Sequence, residues 1–314
     1  MTELPIDWLD EDLPEDHRSG VVAIIGRPNV GKSTLINRIL GQKIAIVTDK
    51  PQTTRNRQLG IYTEVRGQIL FMDTPGLHKP FNKLSEFMIN AAEFAVKDAD
   101  AILWVMDISE PPQESESYIA ETLKRLSAGD TPIVLALNKR DLVAEEADLS
   151  EHTALIDHTR AVPLSAASGD GVQDLLDGLI DLLPEGPRYY PPEQVSEVNM
   201  RFIAAELVRE AIINRTEQEI PYSVAVTIDE YKERSEDMTY IAATIHVERE
   251  SQKGIIVGKG GAMIKAIGTD ARAELQRVTG TRVYLELHVK VLKDWRQNER
   301  FLQRVGYRMP RKND

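Results

Sequence analysis

Apolar positions along the chain change their period partway through, and the change outlines two domains. In the first half, short apolar runs at residues 21–25, 69–72, 101–106, 133–137 and 161–164 alternate with helix-like stretches. That rhythm predicts an α/β domain, a mostly parallel sheet covered by helices. The last helix is the most plainly marked: Val172, Leu175, Leu176, Leu179, Ile180 and Leu183 fall at i, i+3, i+4, i+7, i+8 and i+11. Four prolines and a glycine follow within residues 184–193, which predicts a stiff, extended linker.

Beyond the linker the pattern differs. Ala204, Leu207, Val208, Ala211 and Ile212 mark a helix. Tyr222, Val224, Val226 and Ile228 alternate as a strand, and Ile241, Ala243, Ile245 and Val247 as another. An apolar segment runs into Gly258-Lys259-Gly260-Gly261, and Ile264, Ile267, Ala271, Leu275 and Val278 mark the next helix. Val283, Leu285, Leu287, Val289 and Val291 close the set as a five-fold alternation. The order reads α-β-β-α-loop-α-β, an α+β domain. The expected boundaries are an acidic extension at 1–19, a first domain at 20–183, the linker at 184–193, a second domain at 194–294 and a basic tail at 295–314.

Charge is divided along the same line. The whole chain carries −12, but residues 1–193 hold 18 Lys+Arg against 32 Asp+Glu, and residues 251–314 hold 14 against 6. A polyanion is therefore expected to approach the C-terminal end. Zero cysteines exclude disulfides and thiolate metal sites. The six histidines show no metalloprotease spacing. Residues 1–16 lack the basic and apolar regions of a secretory signal, and the run 101–106 is too short to span a bilayer, so a cytoplasmic protein is expected.

Four segments carry the chemistry of the first domain. Gly26-Arg27-Pro28-Asn29-Val30-Gly31-Lys32-Ser33, followed by Thr34, sits between an apolar run and a helix expected over residues 32–40. This is a phosphate loop in its required context: glycines let backbone N–H groups converge on phosphate, and the helix start adds its dipole. Lys32 would meet the β- and γ-phosphates, and Ser33 would bind Mg²⁺. Asp73, ending the run 69–72, would hold the Mg²⁺ shell, and Asp73-Thr74-Pro75-Gly76 continues into a loop whose Gly76 N–H can sense the γ-phosphate. Asn138-Lys139-Arg140-Asp141 ends the run 133–137. Its aspartate can accept from N1–H and N2–H₂ of guanine, a donor pair adenine lacks, which opposes an ATPase. Ser165-Ala166-Ala167 supplies backbone N–H groups for guanine O6.

These segments resemble those of the translation-factor-related GTPases, and Gly258-x-x-Gly261 between two helices resembles the loop of a prokaryotic-type (type II) K-homology domain. With both domains included, residues 21–310 resemble the Era-like GTPases, on Gly26–Ser33, on Pro51-Gln52-Thr53-Thr54-Arg55 and on Gly258-Lys259-Gly260-Gly261-Ala262-Met263-Ile264-Lys265. The acidic extension lies outside the resemblance. The resemblance implies a GTPase switch that binds GTP and GDP with Mg²⁺, binds small-subunit ribosomal RNA near its 3′ end and acts in small-subunit assembly. It also implies peripheral association with the inner membrane, which nothing in the composition supports. A monomer is expected. Thr54 would complete the Mg²⁺ shell, an assignment that Thr53 next to it leaves open by one residue. The second domain would clamp roughly four unstacked bases at its glycine loop. Lys259, Lys265, Lys290, Lys293 and Arg296 are its candidate RNA contacts. Arg296, Arg300, Arg304 and Arg308 would form a ridge on one helix, and Trp295 could stack on a base or belong to the core.

Leu77 stands where many small GTPases carry a water-orienting glutamine. Slow intrinsic hydrolysis is expected, with Lys32, Gly76, Thr54 and Asn29 carrying what catalysis there is. Leu77 also keeps open a second reading, an RNA-binding scaffold in which bound nucleotide is structural. By resemblance Asn29 would help place a K⁺ ion between the phosphates; the alternative is that it only shapes the loop. Potassium-stimulated turnover is the expected outcome, measured as phosphate release in KCl against NaCl at equal ionic strength. Equal rates exclude the K⁺ role.

Overall fold

The structure is a computed structural model that describes residues 13–48, 50, 58–74, 83–126, 131–196 and 199–305. Contacts divide the chain into two units, residues 1–44, 54–79 and 88–197, and residues 45–53, 80–87 and 198–314.

The first unit is an α/β sandwich. Its strands are β1 (Arg18–Ile25), β2 (Gln58–Thr63), β3 (Gly67–Asp73), β4 (Ala101–Asp107), β5 (Ile133–Asn138) and β6 (Arg160–Pro163). They lie in the order β2-β3-β1-β4-β5-β6. All neighbours pair in parallel except β2, which runs antiparallel to β3 along the edge. β3, β4 and β5 are buried at every position, as strands covered on both faces must be. The helices are α1 (Lys32–Leu40), α2 (Lys83–Lys97), α3 (Glu114–Leu126), the single turn α4 (Ser150–Thr153) and α5 (Val172–Ile180). Leu175, Leu176 and Leu179 of α5 are buried, as their spacing requires. The edge strand β2 is not among the expected elements.

Residues 184–196 are not a free connector. They lie along the first unit, where Ser19 N–H donates to Pro184 O and Ile61 N–H to Val195 O. Gln68, fully buried, fixes the middle: its Oε1 accepts from the N–H groups of Tyr189 and Tyr190 at 2.8 and 3.0 Å, and its Nε2 donates to Tyr190 O at 2.8 Å.

The second unit carries α6 (Met200–Arg215), the short α7 (Ile220–Ser223), β7 (Ala225–Ser235), β8 (Met238–Val247), α8 (Glu250–Val257), α9 (Ala262–Thr279), β9 (Arg282–Val291) and α10 (Glu299–Arg304). The sheet order is β7-β8-β9, with β7 antiparallel and β9 parallel to β8. Tyr222, expected in a strand, lies in α7, because Pro221 near the start of that turn favours a helix opening. The core joins Val208, Ile212, Ile245, Ile256 and Ile267 across α6, β8, α8 and α9. Trp295 is a core residue, fully buried, with Nε1–H donating to Ser223 O at 2.9 Å. The expected arginine ridge is broken: Arg296 lies in a separate turn, Asn298 caps α10 through Phe301 N–H, and Arg308 lies outside the described residues.

A segment distant in sequence completes this unit. Ile46 is buried against Ile203, Leu207 and Ile241. Val47 N–H donates to Glu210 at 3.0 Å, and the Lys50 ammonium donates to Ile213 O at 2.9 Å and to Thr216 O, at the C-terminal end of α6 where free carbonyls favour a cation.

Replacing Gln68 with leucine removes its three hydrogen bonds to the backbone of residues 189–190. The expected outcome is a loss of about 2–3 kcal/mol in urea unfolding and faster protease cleavage within residues 184–196, read by mass spectrometry.

Candidate functional site

The chemistry gathers at the carboxyl ends of the central strands, beside β1, where strand order reverses and open α/β sheets place their ligands. The phosphate loop joins β1 to α1. Gly31 caps α1 with φ 100°, a value for which a side chain is strained, and a Cβ there would run into the Asn138 amide. The Lys32 ammonium donates to Gly26 O and Arg27 O, both at 2.8 Å, so the loop encircles it. Ser33 and Thr34 follow in the first turn of α1 and are partly exposed. Asn29 is exposed with φ 65°, a conformation that asparagine tolerates.

Asn138 at the end of β5 ties three segments together. Its Nδ2 donates to Val30 O at 2.7 Å, and its Oδ1 accepts from Ala166 N–H at 2.9 Å. The Ala166 N–H is therefore occupied, and Ser165 N–H donates to Asp170 O. Ala167 is exposed, and its N–H donates to no backbone oxygen among the described residues. Arg38 of α1 holds the same loop through Ala166 O and Ala167 O.

Lys139 and Asp141 extend past β5. Lys139, at φ 68°, ion-pairs with Asp107. Burial alone would raise the Asp107 carboxyl, but hydrogen bonds from Lys139 and Ser109 hold it below the usual carboxylate range. Asp141 is exposed. Arg140 donates to Val143 O, Ala144 O and Glu145 O, so it shapes its own turn. The Arg27 guanidinium is paired with Glu116 and Glu110 and lies 3.8 Å from Asp107. Asp107, Glu110 and Glu116 are site-supporting residues outside the expected set. Only Asp107 left a signal in the sequence, a carboxylate ending an apolar run.

Asp73 ends β3 and is buried, and no side-chain donor among the described residues satisfies either carboxylate oxygen. Burial pushes its carboxyl up to about 6 against the opposing charge of Lys32. Burial likewise pushes Lys32 down to about 8, with Asp73 opposing and Arg27 adding. An orphaned carboxylate beside the start of α1 fits a Mg²⁺ shell completed by hydroxyls, water and phosphate rather than a cage of side chains. Thr74 Oγ1 donates to Ile24 O at 2.6 Å, which fixes the strand end. Thr53, Thr54, Pro75, Gly76 and Leu77 lie outside the described residues.

In the second unit, α8 ends at Gly258 with φ 72°, where a Cβ would strike Met263. Gly258–Gly261 forms a tight turn into α9, with Lys259 and Lys265 exposed on it and on the first turns of α9. The other candidates lie elsewhere. Lys293 and Arg296 line a depression with Glu248 and Arg249 at the opposite end of α8, about 12 Å along the helix. Arg296 is ion-paired with Glu248 there. Lys290 is exposed on β9 at an even position, on the sheet face away from the apolar odd positions that meet the helices.

Comparison with known proteins agrees with this geometry. Residues 21–139 match the family described as 50S ribosome-binding GTPase, and residues 219–296 match the KH domain. A crystal structure of Era in complex with MgGDPNP and nucleotides 1506–1542 of 16S ribosomal RNA is 35% identical, covers 93% of this chain and 99% of its own, and superposes with a TM-score of 0.85. A single-residue variant of Aquifex aeolicus Era bound to GDP·AlF4⁻ is 37% identical over 92% of this chain and 99% of its own, with a TM-score of 0.84.

Binding of a magnesium nucleotide needs Asp73 ionised and Lys32 protonated. Below about pH 6 binding must expel a proton from Asp73, and above about pH 8 it must load one onto Lys32. MgGDP affinity is therefore expected to be highest between these values and to fall by up to about tenfold per pH unit on either side. Calorimetry in buffers of different ionisation heat should show proton release at the acid end, reduced to the nucleotide's own in Asp73→Asn, and uptake at the alkaline end.

Proposed function

Because the chain belongs to the Era family of GTPases, we propose that it is a GTP-driven switch that binds the 3′ end of small-subunit ribosomal RNA and acts in assembly of the small subunit. One observation carries the reading: a relative that matches this chain almost end to end holds a GTP analogue and a 16S ribosomal RNA segment at once. Both kinds of site recur here, one around Asn138 and one around Gly258.

The residues divide the work. Lys32 and the backbone of residues 26–34 hold the phosphates. Ser33, Asp73 and Thr54 or Thr53 would hold Mg²⁺, which neutralises phosphate charge and bridges the phosphoryl oxygens. Asp141 selects guanine, and Lys139, steadied by Asp107, borders the base. Gly76 would read the γ-phosphate. With Leu77 in place of a water-orienting side chain, turnover depends on positioning and charge, and Asn29 is placed to help seat K⁺. Gly258, Gly260 and Gly261 let an RNA backbone approach closely, with Lys259 and Lys265 supplying charge.

The protein acts in the cytoplasm as a monomer on this reading. No helix among the described residues is long and apolar enough to cross a membrane, and the acidic first domain works against the peripheral membrane contact that the family resemblance implies.

Crosslinking in cells followed by sequencing should concentrate reads at the 3′ end of small-subunit ribosomal RNA. In vitro, that RNA segment is expected to bind about tenfold more tightly with a non-hydrolysable GTP analogue than with GDP. Reads scattered over unrelated RNAs exclude the target, and equal affinities exclude the switch. Full function in a Lys32→Ala variant that binds no nucleotide would establish the scaffold reading instead.

A further inference from the structure

The three-stranded sheet of the second unit has one face against helices, holding Val283, Leu285, Leu287, Val289 and Val291. The other face is built from the even positions of β9 and their partners. Tyr284 lies there, 59% exposed, beside its cross-strand partner Tyr240. The rings are stacked, with centroids 5.8 Å apart and planes at 21°, and the Arg234 guanidinium sits 4.3 Å from the Tyr240 ring centre.

Cations surround the pair. Arg282 faces Met238, and Lys232 faces Tyr240, in direct register. Lys290 ends the row. Three carboxylates share this face and keep their charge: Glu286 accepts from the Tyr240 hydroxyl at 2.7 Å and lies 3.0 Å from His288, Glu230 pairs with Lys232, and Asp229 accepts from the Thr244 hydroxyl. Lys232, Arg234 and Arg282 are the exposed cations beside the open Tyr284 ring, and Lys290 is exposed about 20 Å farther along β9. Structural cross-strand tyrosines are common, but such a pair needs neither an exposed outer ring nor a cationic border. A flat ring with flanking cations is what single-stranded nucleic acid uses for base stacking and backbone attraction.

We propose that this open sheet face is a second RNA contact, taking a single-stranded segment with a base stacked on Tyr284 and its phosphates near Arg234, Arg282 and Lys290. The proposal rests on the RNA-binding reading above and adds a surface on the opposite side of the sheet from the glycine-turn helices. It also gives Lys290 a role away from Gly258–Gly261.

Fluorescence anisotropy of the full chain with labelled oligouridines of 5 and 20 nucleotides tests it. The 5-mer can be held at the glycine turn alone, where roughly four bases fit. Tyr284→Ala should weaken the 20-mer about tenfold and leave the 5-mer unchanged, Tyr284→Phe should bind both as the wild type does, and Arg282→Gln should flatten the salt dependence of 20-mer binding. Ultraviolet crosslinking to the 20-mer should mark the peptide that holds Tyr284. Wild-type binding that Tyr284→Ala does not move overturns this assignment alone. So does a Tyr284-dependent dimer in sedimentation without any RNA effect, since the face would then serve a second copy of the chain. A folded wild-type chain that binds neither oligomer overturns the RNA reading as well.

Discussion

One amide side chain holds the nucleotide site in register. Asn138 reaches from the end of β5 to the phosphate loop on one side and to the Ala166 loop on the other. Each loop is irregular backbone, so neither has a sheet or helix ladder to fix it. A buried amide that gives and takes a hydrogen bond costs little, while one left unpaired costs a few kcal/mol. The same contact explains why residue 31 is glycine, since any side chain there would occupy the space of the amide. Around this centre the second tier is ionic: Asp107 draws in Lys139 and lies near Arg27, and Arg27 runs on to Glu116 of α3.

Much of this was legible in the chain. The five apolar runs of the first domain became strands, and the central ones read as continuous apolar runs because parallel strands buried on both faces need them. Asp73 and Asn138 were found for a related reason: a polar residue closing such a run stands at the carboxyl end of a strand, where ligands bind. The glycine turn and its helices were placed by the shift from a two-residue to a 3.6-residue period.

What escaped the sequence escaped for physical reasons. β2 is an edge strand of mixed composition, so its pairing with β3 leaves no apolar run to read. The prolines of residues 184–193 announce an extended chain but not that Gln68, far away in sequence, fastens it. Arg27 sits in the phosphate-binding motif, yet its partners are carboxylates from β4 onward, a pairing visible only in three dimensions. Lys290 is the reverse case. The alternation that predicts β9 already puts it on the face opposite Leu287 and Val289, and only its proximity in sequence to other cations grouped it with the glycine turn.

The mooring of Ile46, Val47 and Lys50 carries a consequence for how the molecule can be divided. Ile46 fills a gap in the second unit's core, and Val47 and Lys50 are moored to α6. The chain enters that unit three times, within residues 45–53, 80–87 and 198–314, and returns to the first between them, so the two folded bodies are interleaved along the polypeptide rather than strung in series. A scission in the proline-rich stretch would not yield two intact halves. The C-terminal fragment would lack a piece of its own interior, and the N-terminal fragment would carry that piece as an uncovered greasy stretch.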